Sequence, residues 1–204
     1  MILCGHETPS DIFFLTKDAV GVIVGTGLIG VAKDNLPFPD HIPALATGFM
    51  MIELDVETGQ HKILEYVGTA DCGTVIHPQG LESQIRGGAS MGIGLATLEG
   101  AVYDPQNGLP ACVGLYQAKP PSYLDVPSEM GAQYVDKPDA DNPVGAKGIG
   151  EPLMGCAASA LLCAIYDALG GKTYFNRTPL KPDMIIAALA GRPQAHKPLA
   201  VKTQ

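Results

Sequence analysis

A single carboxylate within a glycine-rich turn is the feature of this sequence best suited to chemistry. Residues 142–152 read NPVGAKGIGEP, so three glycines precede Glu151 and a proline follows it. Glycines let a backbone pass close to a bulky neighbour, and a proline both starts a helix and disfavours the α region for the residue before it. The pattern predicts a lone acid at the mouth of a helix, kept out of the α region and able to exchange a proton. The plainer interpretation is a glutamate that complements the helix dipole.

A second glycine motif lies near the N-terminus. Residues 25–30 read GTGLIG after an apolar stretch, which formally matches the dinucleotide-binding fingerprint. A Rossmann unit also needs a helix of roughly a dozen residues after its glycines. Pro37 limits that helix to barely two turns. We interpret residues 25–30, from Gly25 to Gly30, as a structural turn, and a nucleotide-binding module is the alternative.

The sequence contains no clear set of metal ligands. The cysteines are odd in number, lack a C-x-x-C pair and lie apart, at Cys4, Cys72, Cys112, Cys156 and Cys163. This spacing favours neither a disulfide framework nor a zinc or iron–sulfur site. His77 has no His or Cys partner at ligand spacing, so we predict a capping or hydrogen-bonding role for it. We expect no metal ligand from this chain, and a reducing, cytoplasmic compartment.

The elements that would position the carboxylate predict an α+β fold. Residues 48–57 and 60–70 are strand-like and flank a short turn, which predicts a β-hairpin. Residues 78–99 predict a glycine-rich helix. Because glycine destabilises a helix interior relative to alanine, we expect these glycines to allow close approach of another backbone or of a ligand. A buried helix is predicted over 153–169 and a short one from about 182 to 191. We expect a mixed sheet with two to three packed helices.

Composition narrows the possible partners. The chain has 204 residues, a formal net charge of -8 and a pI near 4.9, which disfavour binding to nucleic acid or an anionic membrane. Hydrophobic residues make up 46% and charged residues 17%, which favours a subunit that buries surface against other chains. We identify neither a signal peptide nor a membrane span.

Several ordered segments resemble the xanthine dehydrogenase and aldehyde oxidoreductase family of molybdenum hydroxylases. GAKGIGEP resembles the family segment that carries the active-site glutamate, and DCGTVIHPQGLESQIRGGASMGIGLATLEG resembles the segment that borders the molybdopterin. FMMIELDVETGQHKILEYV, YDPQNGLP, KPPSYLDVP and PLKPDMIIAAL follow the family order. The likeness runs from about residue 46 to 190. It implies the C-terminal part of a molybdopterin-binding large subunit over residues 1–204, as a split subunit or as a fragment, with residues 1–45 matching less clearly.

The resemblance implies a reaction and a set of site residues. The reaction is hydroxylation at an sp2 carbon of an N-heteroaromatic, xanthine-like compound or an aldehyde, with water as the oxygen source. Glu151 matches the catalytic base and Gln84 the cofactor-contacting glutamine, on a glycine-rich helix that faces the cofactor. The remaining cofactor-binding candidates are Gly87, Gly88, Lys147, Gly148, Ile149 and Gly150. The implied cofactor is molybdenum bound to molybdopterin, in the plain or the dinucleotide form.

The resemblance also implies partner chains. Family large subunits are several times longer, and their earlier cofactor-binding segments, a four-cysteine cluster pattern and a flavin-binding segment are not found in this sequence. We therefore expect this chain to form one wall of the site, with another molybdenum-binding chain beside it. Iron–sulfur clusters and FAD are expected on partner subunits only. The alternative is a non-catalytic structural subunit of such a complex.

Overall fold

The computed structural model describes residues 44–140, 143–175 and 177–192. The GTGLIG turn at 25–30, nearly all of segment 1–45 and Asn142 of the glutamate-bearing turn lie outside the described residues.

A three-stranded mixed sheet forms one layer of the described fold. Its strands are β1 (Ala46–Leu54), β2 (His61–Gly73) and β3 (Glu129–Asp136), in the order β1-β2-β3. β1 and β2 pair antiparallel around a turn in which Gly59 has a φ of 71°, so the predicted hairpin is confirmed. β3 joins β2 in parallel, which requires the long connection through residues 74–128.

The helices are α1 (Pro78–Ile93), α2 (Leu115–Ala118), α3 (Pro152–Ala168) and α4 (Pro182–Leu189). Of these, α1 and α3 pack on the sheet and form the second layer. The α+β class with a mixed sheet is confirmed, and α2 is a single turn that the sequence analysis did not predict. None of the helices in the described ranges has both the length and the apolar character that a membrane crossing requires.

The core lies where α1 and α3 meet each other and the sheet. Its main cluster joins apolar side chains from β2, α1, α3 and α4, namely Ile63, Ile93, Leu161, Ile165 and Ile185 with their neighbours. A second cluster packs Tyr66 against Ala89 and Ala157. The third, made of Ala70, Ile85 and Leu153, lies at the end of the helix pair that is nearest to Glu151. Burial of these apolar side chains is the main stabilising contribution to such an arrangement.

Two glycines of α1 let its backbone approach α3 closely. A Cβ added to Gly92 would overlap the carbonyl oxygen of Met154 and lie 2.9 Å from the Cβ of Ala157. At Gly88 it would lie 2.8 Å from the Cβ of Leu153. The close approach expected of the glycine-rich helix is therefore, at these two positions, an approach to another backbone.

The predicted helix over 78–99 ends differently from expectation. α1 stops at Ile93 and continues as a π-helical turn, Gly94–Leu98, in which the Glu99 N–H donates to the Gly94 carbonyl at 2.8 Å. The Lys181 ammonium donates to the carbonyls of Thr97 and Leu98, at 3.1 and 2.8 Å. Carbonyls at a helix end have no partner within the helix, so this lysine ties the end of the turn to the segment before α4.

Gly92→Ala is expected to destabilise the protein by about 1–3 kcal/mol, because the added methyl group has no room between the two helices. Gly155→Ala in α3 is the matched control, since nothing lies within 4 Å of an added Cβ there. The control should leave stability unchanged or raise it by up to about 1 kcal/mol through helix propensity. Urea unfolding of both variants measures the difference, and equal midpoints would contradict the packing role of Gly92.

Candidate functional site

Glu151 occupies the N-cap position of α3. Its backbone has φ -78° and ψ -33°, in the α region. The sequence-based expectation that Pro152 keeps Glu151 out of the α region is therefore wrong. The reason is local: the Met154 N–H donates to the Glu151 carbonyl at 3.0 Å and closes the first turn through it. The steric effect of a following proline is a preference, which one turn of hydrogen bonding overrides.

The carboxylate of Glu151 points away from the core of this chain. The residue is exposed and its side chain makes no cap hydrogen bond with the helix. The described residues therefore do not enclose it in the apolar pocket that a desolvated base would need. The carboxylate lies at the positive end of α3, as the dipole interpretation expects, but it does not cap the helix.

The structure brings Gln84 next to the turn that carries Glu151. A Cβ built on Gly150 would lie 3.8 Å from the Oε1 atom of Gln84, and one built on Gly88 would lie 3.1 Å from the Gly150 carbonyl oxygen. Gln84 is exposed. The close packing of α1 on α3 thus places the predicted cofactor-contacting amide beside Gly150, the residue before the predicted base, although the two segments lie far apart in the sequence.

The glycines predicted to face a cofactor divide into two groups. Added Cβ atoms at Gly87 and Gly148 would meet nothing within 4 Å, so both positions offer bare backbone to open space. Gly88 instead faces Leu153 and Gly150, and Ile149 packs against the cluster of Ala70, Ile85 and Leu153. We call this region the α1/α3 edge, and it consists of Gln84, Gly87, Gly148, Gly150 and Glu151, of which all but Gly150 are exposed.

Lys147, a predicted cofactor ligand, is held by two carboxylates. Its Nζ lies 2.7 Å from Asp71 Oδ2 and 3.5 Å from Asp139 Oδ2. The lysine side chain is only 14% exposed. Its backbone N–H donates to the Cys72 carbonyl at 2.8 Å. The ammonium is therefore directed into the chain, towards the end of β2.

The ion pair shifts both of its members towards their charged forms. The hydrogen bond from Lys147 lowers the pKa of Asp71 below its ordinary value of 3.8, and the Gly73 N–H contributes in the same direction. The hydrogen bond to Asp71 raises the pKa of Lys147 above its ordinary value of 10.5. Nearby charge on Lys137 also lowers the pKa of Asp71. Both groups stay charged across the neutral range.

His77 caps the N-terminus of α1. Its Nδ1 accepts a hydrogen bond from the Gly80 N–H at 2.7 Å, and the residue is exposed. The capping role predicted for His77 is confirmed. Within the described ranges, no group of three or more His, Cys, Asp or Glu residues could hold a metal ion.

Two grooves in the described fold are lined by residues other than those of the α1/α3 edge. One, of about 1010 Å³, is bounded by the start of β2, the end of α1 and residues 123–130. The other, of about 760 Å³, lies between β1 and α3 and is lined mainly by small and apolar residues, with Pro152 and Cys156 among them. Neither groove is lined by Gln84 or Glu151. Volume alone does not mark a site, and neither groove joins an exposed acid to an amide as the edge does.

Comparison with known proteins identifies the chain. The family model described as the molybdopterin cofactor-binding domain matches residues 31–127. The chain is 34% identical over 148 residues to the gamma subunit of the 6-hydroxypseudooxynicotine dehydrogenase complex of Paenarthrobacter nicotinovorans, covering 72% of this chain and 18% of that relative. It is 32% identical to the aldehyde oxidoreductase of Megalodesulfovibrio gigas, over 68% of this chain and 14% of the relative.

The fold agrees with a solved relative. Quinoline 2-oxidoreductase from Pseudomonas putida 86 superposes with a TM-score of 0.64 and 33% identity, covering 70% of this chain and 18% of that chain. This chain belongs to the xanthine dehydrogenase and aldehyde oxidoreductase family of molybdenum-binding subunits. It spans less than a fifth of the length of these relatives. The matched family domain includes Gln84 and Gly87 and ends before Lys147 and Glu151.

The sequence analysis missed two residues that hold the glutamate-bearing turn against the end of β2, namely Asp71 and Asp139, whose carboxylates bind Lys147. Gly145, one of the three glycines already noted in this turn, adds a backbone contact, because its carbonyl accepts from the Thr74 N–H at 2.7 Å. Asp71 belongs to the DCG segment that supports the family resemblance, but the spacing between it and Lys147 carries no periodic pattern. Only the tertiary structure shows that Asp71 and Lys147 are in contact.

Asp71→Asn should lower the free energy of unfolding between about pH 5 and pH 9. The difference in stability between the variant and the wild type should become smaller below and above this range. The folded-state pKa of Asp71 is depressed, so its contribution is present above the ordinary value of 3.8 and is lost as pH falls through the folded value. The folded-state pKa of Lys147 is raised, so its contribution is lost as pH rises through a value above 10.5. Urea midpoints of both proteins across this range measure the effect. A difference that does not depend on pH would exclude an ionic contribution.

Proposed function

We propose that this chain contributes the wall of a molybdenum hydroxylase active site that carries the catalytic base. Its reaction is oxidative hydroxylation at an sp2 carbon, with Glu151 as the base and Gln84 as a contact to the cofactor. The observation that supports this most directly is the proximity of the Gln84 amide to Gly150, the residue before Glu151. Two residues of the same family pattern, from separate elements, lie on one edge.

The residues of the α1/α3 edge fit a bound pterin. Gln84 presents an exposed amide that can both donate and accept hydrogen bonds. Gly87, one turn later on α1, has no side chain, so the space above its backbone is open to a ligand. Gly148 offers similar space in the turn before α3. The described residues include no metal-ligand cluster, so this chain would contact the organic part of the cofactor. The molybdenum carried by bound molybdopterin would accept the two electrons that hydroxylation with water removes from the substrate.

Glu151 suits the role of a general base in this reaction. An unprotonated carboxylate can take the proton that a water-derived nucleophile must lose before it attacks carbon, and then release it to solvent. Because Glu151 is exposed in this chain and makes no cap bond, its carboxylate is available to a reactant. The desolvation that strengthens such a base would have to come from a companion polypeptide.

The substrate class proposed is an N-heteroaromatic, xanthine-like compound or an aldehyde. This proposal is supported by the relatives, whose names refer to 6-hydroxypseudooxynicotine, quinoline and aldehydes as substrates. The residues of the edge carry no feature that separates these classes. Substrate choice would then depend on the walls that other chains provide.

Companion chains form part of the proposal. Large apolar side chains are more than half exposed along residues 102–124, namely Val102, Tyr103, Leu109, Val113, Leu115, Tyr116, Tyr123 and Leu124. Such a concentration of exposed apolar groups is typical of surface that a partner covers. One relative is itself a complex subunit, named gamma. The partners proposed are a further molybdenum-binding chain and subunits that carry iron–sulfur clusters and FAD.

Glu151→Gln in the assembled complex should leave the molybdenum content near that of the wild type and lower kcat by about 100-fold or more, since the amide cannot accept the proton. Glu57→Gln, an exposed glutamate in the hairpin turn, is the matched control and should keep full turnover. Steady-state kinetics with metal analysis provide the measurements. Wild-type turnover in Glu151→Gln would overturn the base assignment and favour a non-catalytic structural subunit.

Gln84→Ala should weaken cofactor retention, because alanine has neither the hydrogen-bond donor nor the acceptor that the Gln84 amide presents on the edge. Gln79→Ala is the control, since Gln79 is exposed on the same helix but lies five residues earlier, on a different side. The molybdenum-to-protein ratio after gel filtration compares the two variants. Equal ratios in Gln84→Ala, Gln79→Ala and the wild type would refute a cofactor contact by Gln84.

A further inference from the structure

The turn before Glu151 is fastened to the end of β2 by its backbone. Ala146 forms an antiparallel bridge with Gly73, and the Lys147 N–H donates to the Cys72 carbonyl at 2.8 Å. The Gly145 carbonyl accepts from the N–H groups of Thr74 and Asp139, at 2.7 and 3.0 Å, and Gly145 has a φ of 72°. Residues 145–147 thus extend the sheet locally, with a defined register.

The side chain of Lys147 stabilises this local extension of the sheet through two ion pairs. Its ammonium contacts Asp71, at the end of β2, and Asp139, in the loop after β3, so one cation joins three segments. The side chains of Lys147 and Asp139 are 14% exposed and that of Asp71 is 24% exposed, which shields the pairs from solvent. Removal of the cation would take away the positive charge that the carboxylates of Asp71 and Asp139 share.

Beyond the lysine, the chain has one position that packing does not restrain. Gly148 has open space around its Cβ position, whereas Ile149 packs into the cluster of Ala70, Ile85 and Leu153. Gly150 lies beside Gln84 and Gly88. Because a glycine has wide backbone freedom, the path through Gly148 is defined only if the residues on both sides of it are fixed. Packing fixes Ile149 on one side, so the remaining requirement is a fixed residue before Gly148. That residue is Lys147.

We propose that Lys147 is a positioning residue for the carboxylate of Glu151. Asp71 and Asp139 hold its ammonium inside the chain, and the fixed backbone at residue 147 sets the start of the glycine-containing segment that presents the base. Lys147 therefore does not bind the cofactor through its charge, because its ammonium is already engaged by two anionic groups. This inference rests on the proposed function of Glu151.

The test uses the assembled complex with Lys147→Ala, Lys147→Arg and Asp71→Asn, and with Lys172→Ala as an exposed lysine control. Lys147→Ala is expected to lower kcat by about 10- to 100-fold, as a displaced catalytic group does, with KM within about 3-fold and molybdenum content unchanged. Amide hydrogen exchange at residues 148–151 should become faster. Lys147→Arg should recover most of the turnover, and Asp71→Asn should show a smaller loss in the same direction.

The combination with Glu151→Gln separates positioning from a general structural role. If Lys147 acts through Glu151, then Lys147→Ala should add little to the loss already caused by Glu151→Gln. Three results would each overturn the inference. They are an equal fold-reduction of kcat by Lys147→Ala in the wild type and in Glu151→Gln, a loss of molybdenum from Lys147→Ala, and unchanged hydrogen exchange at residues 148–151. Wild-type turnover in Glu151→Gln alone would instead refute the proposed base, and hydrogen exchange would still report whether Lys147 fixes the turn.

Discussion

The close contact between the backbones of α1 and α3 is the constraint on which the rest of this region depends. Gly88 and Gly92 leave no room for a methyl group where they face Leu153, Met154 and Ala157. Because both helices also pack on the sheet, their separation determines how near Gln84 comes to the start of α3. A helix pair spaced by ordinary side chains would hold the amide and the acid farther apart. Glycine spacing in α1 is in this sense a requirement of the core and would also be one of the proposed site.

A second constraint acts on the turn that precedes α3. The sheet extension at residues 145–147 and the ion pairs of Lys147 hold this turn at the end of β2, and the cluster around Ile149 holds it on the helix side. Gly148 lies between the two attachments. Such an arrangement can keep a side chain in place and still leave bare backbone at the surface, which suits a base that must reach a bound reactant.

The exposure of Glu151 agrees with a site that this chain does not enclose. The chain spans less than a fifth of its relatives, and exposed apolar side chains are concentrated along residues 102–124. A carboxylate gains basicity when water is excluded around it. We infer that the wall formed by this chain presents the acid, and that surrounding polypeptide would supply the low-dielectric environment in which a base of this kind works.

The sequence by itself determined the hairpin, the positions of the long helices and the α+β class, because these follow from local periodicity and turn residues. The family was indicated separately, by the resemblance of several ordered motifs to it. The sequence also indicated that the glycines of α1 needed a close neighbour, and that His77 would cap a helix. Only the tertiary structure decided which glycines face α3 and which face open space, that Lys147 binds Asp71 and Asp139, and that Glu151 adopts the α region in spite of Pro152. The physical reason is that local pattern specifies what each segment can form, whereas contacts between residues distant in sequence depend on how the segments pack together.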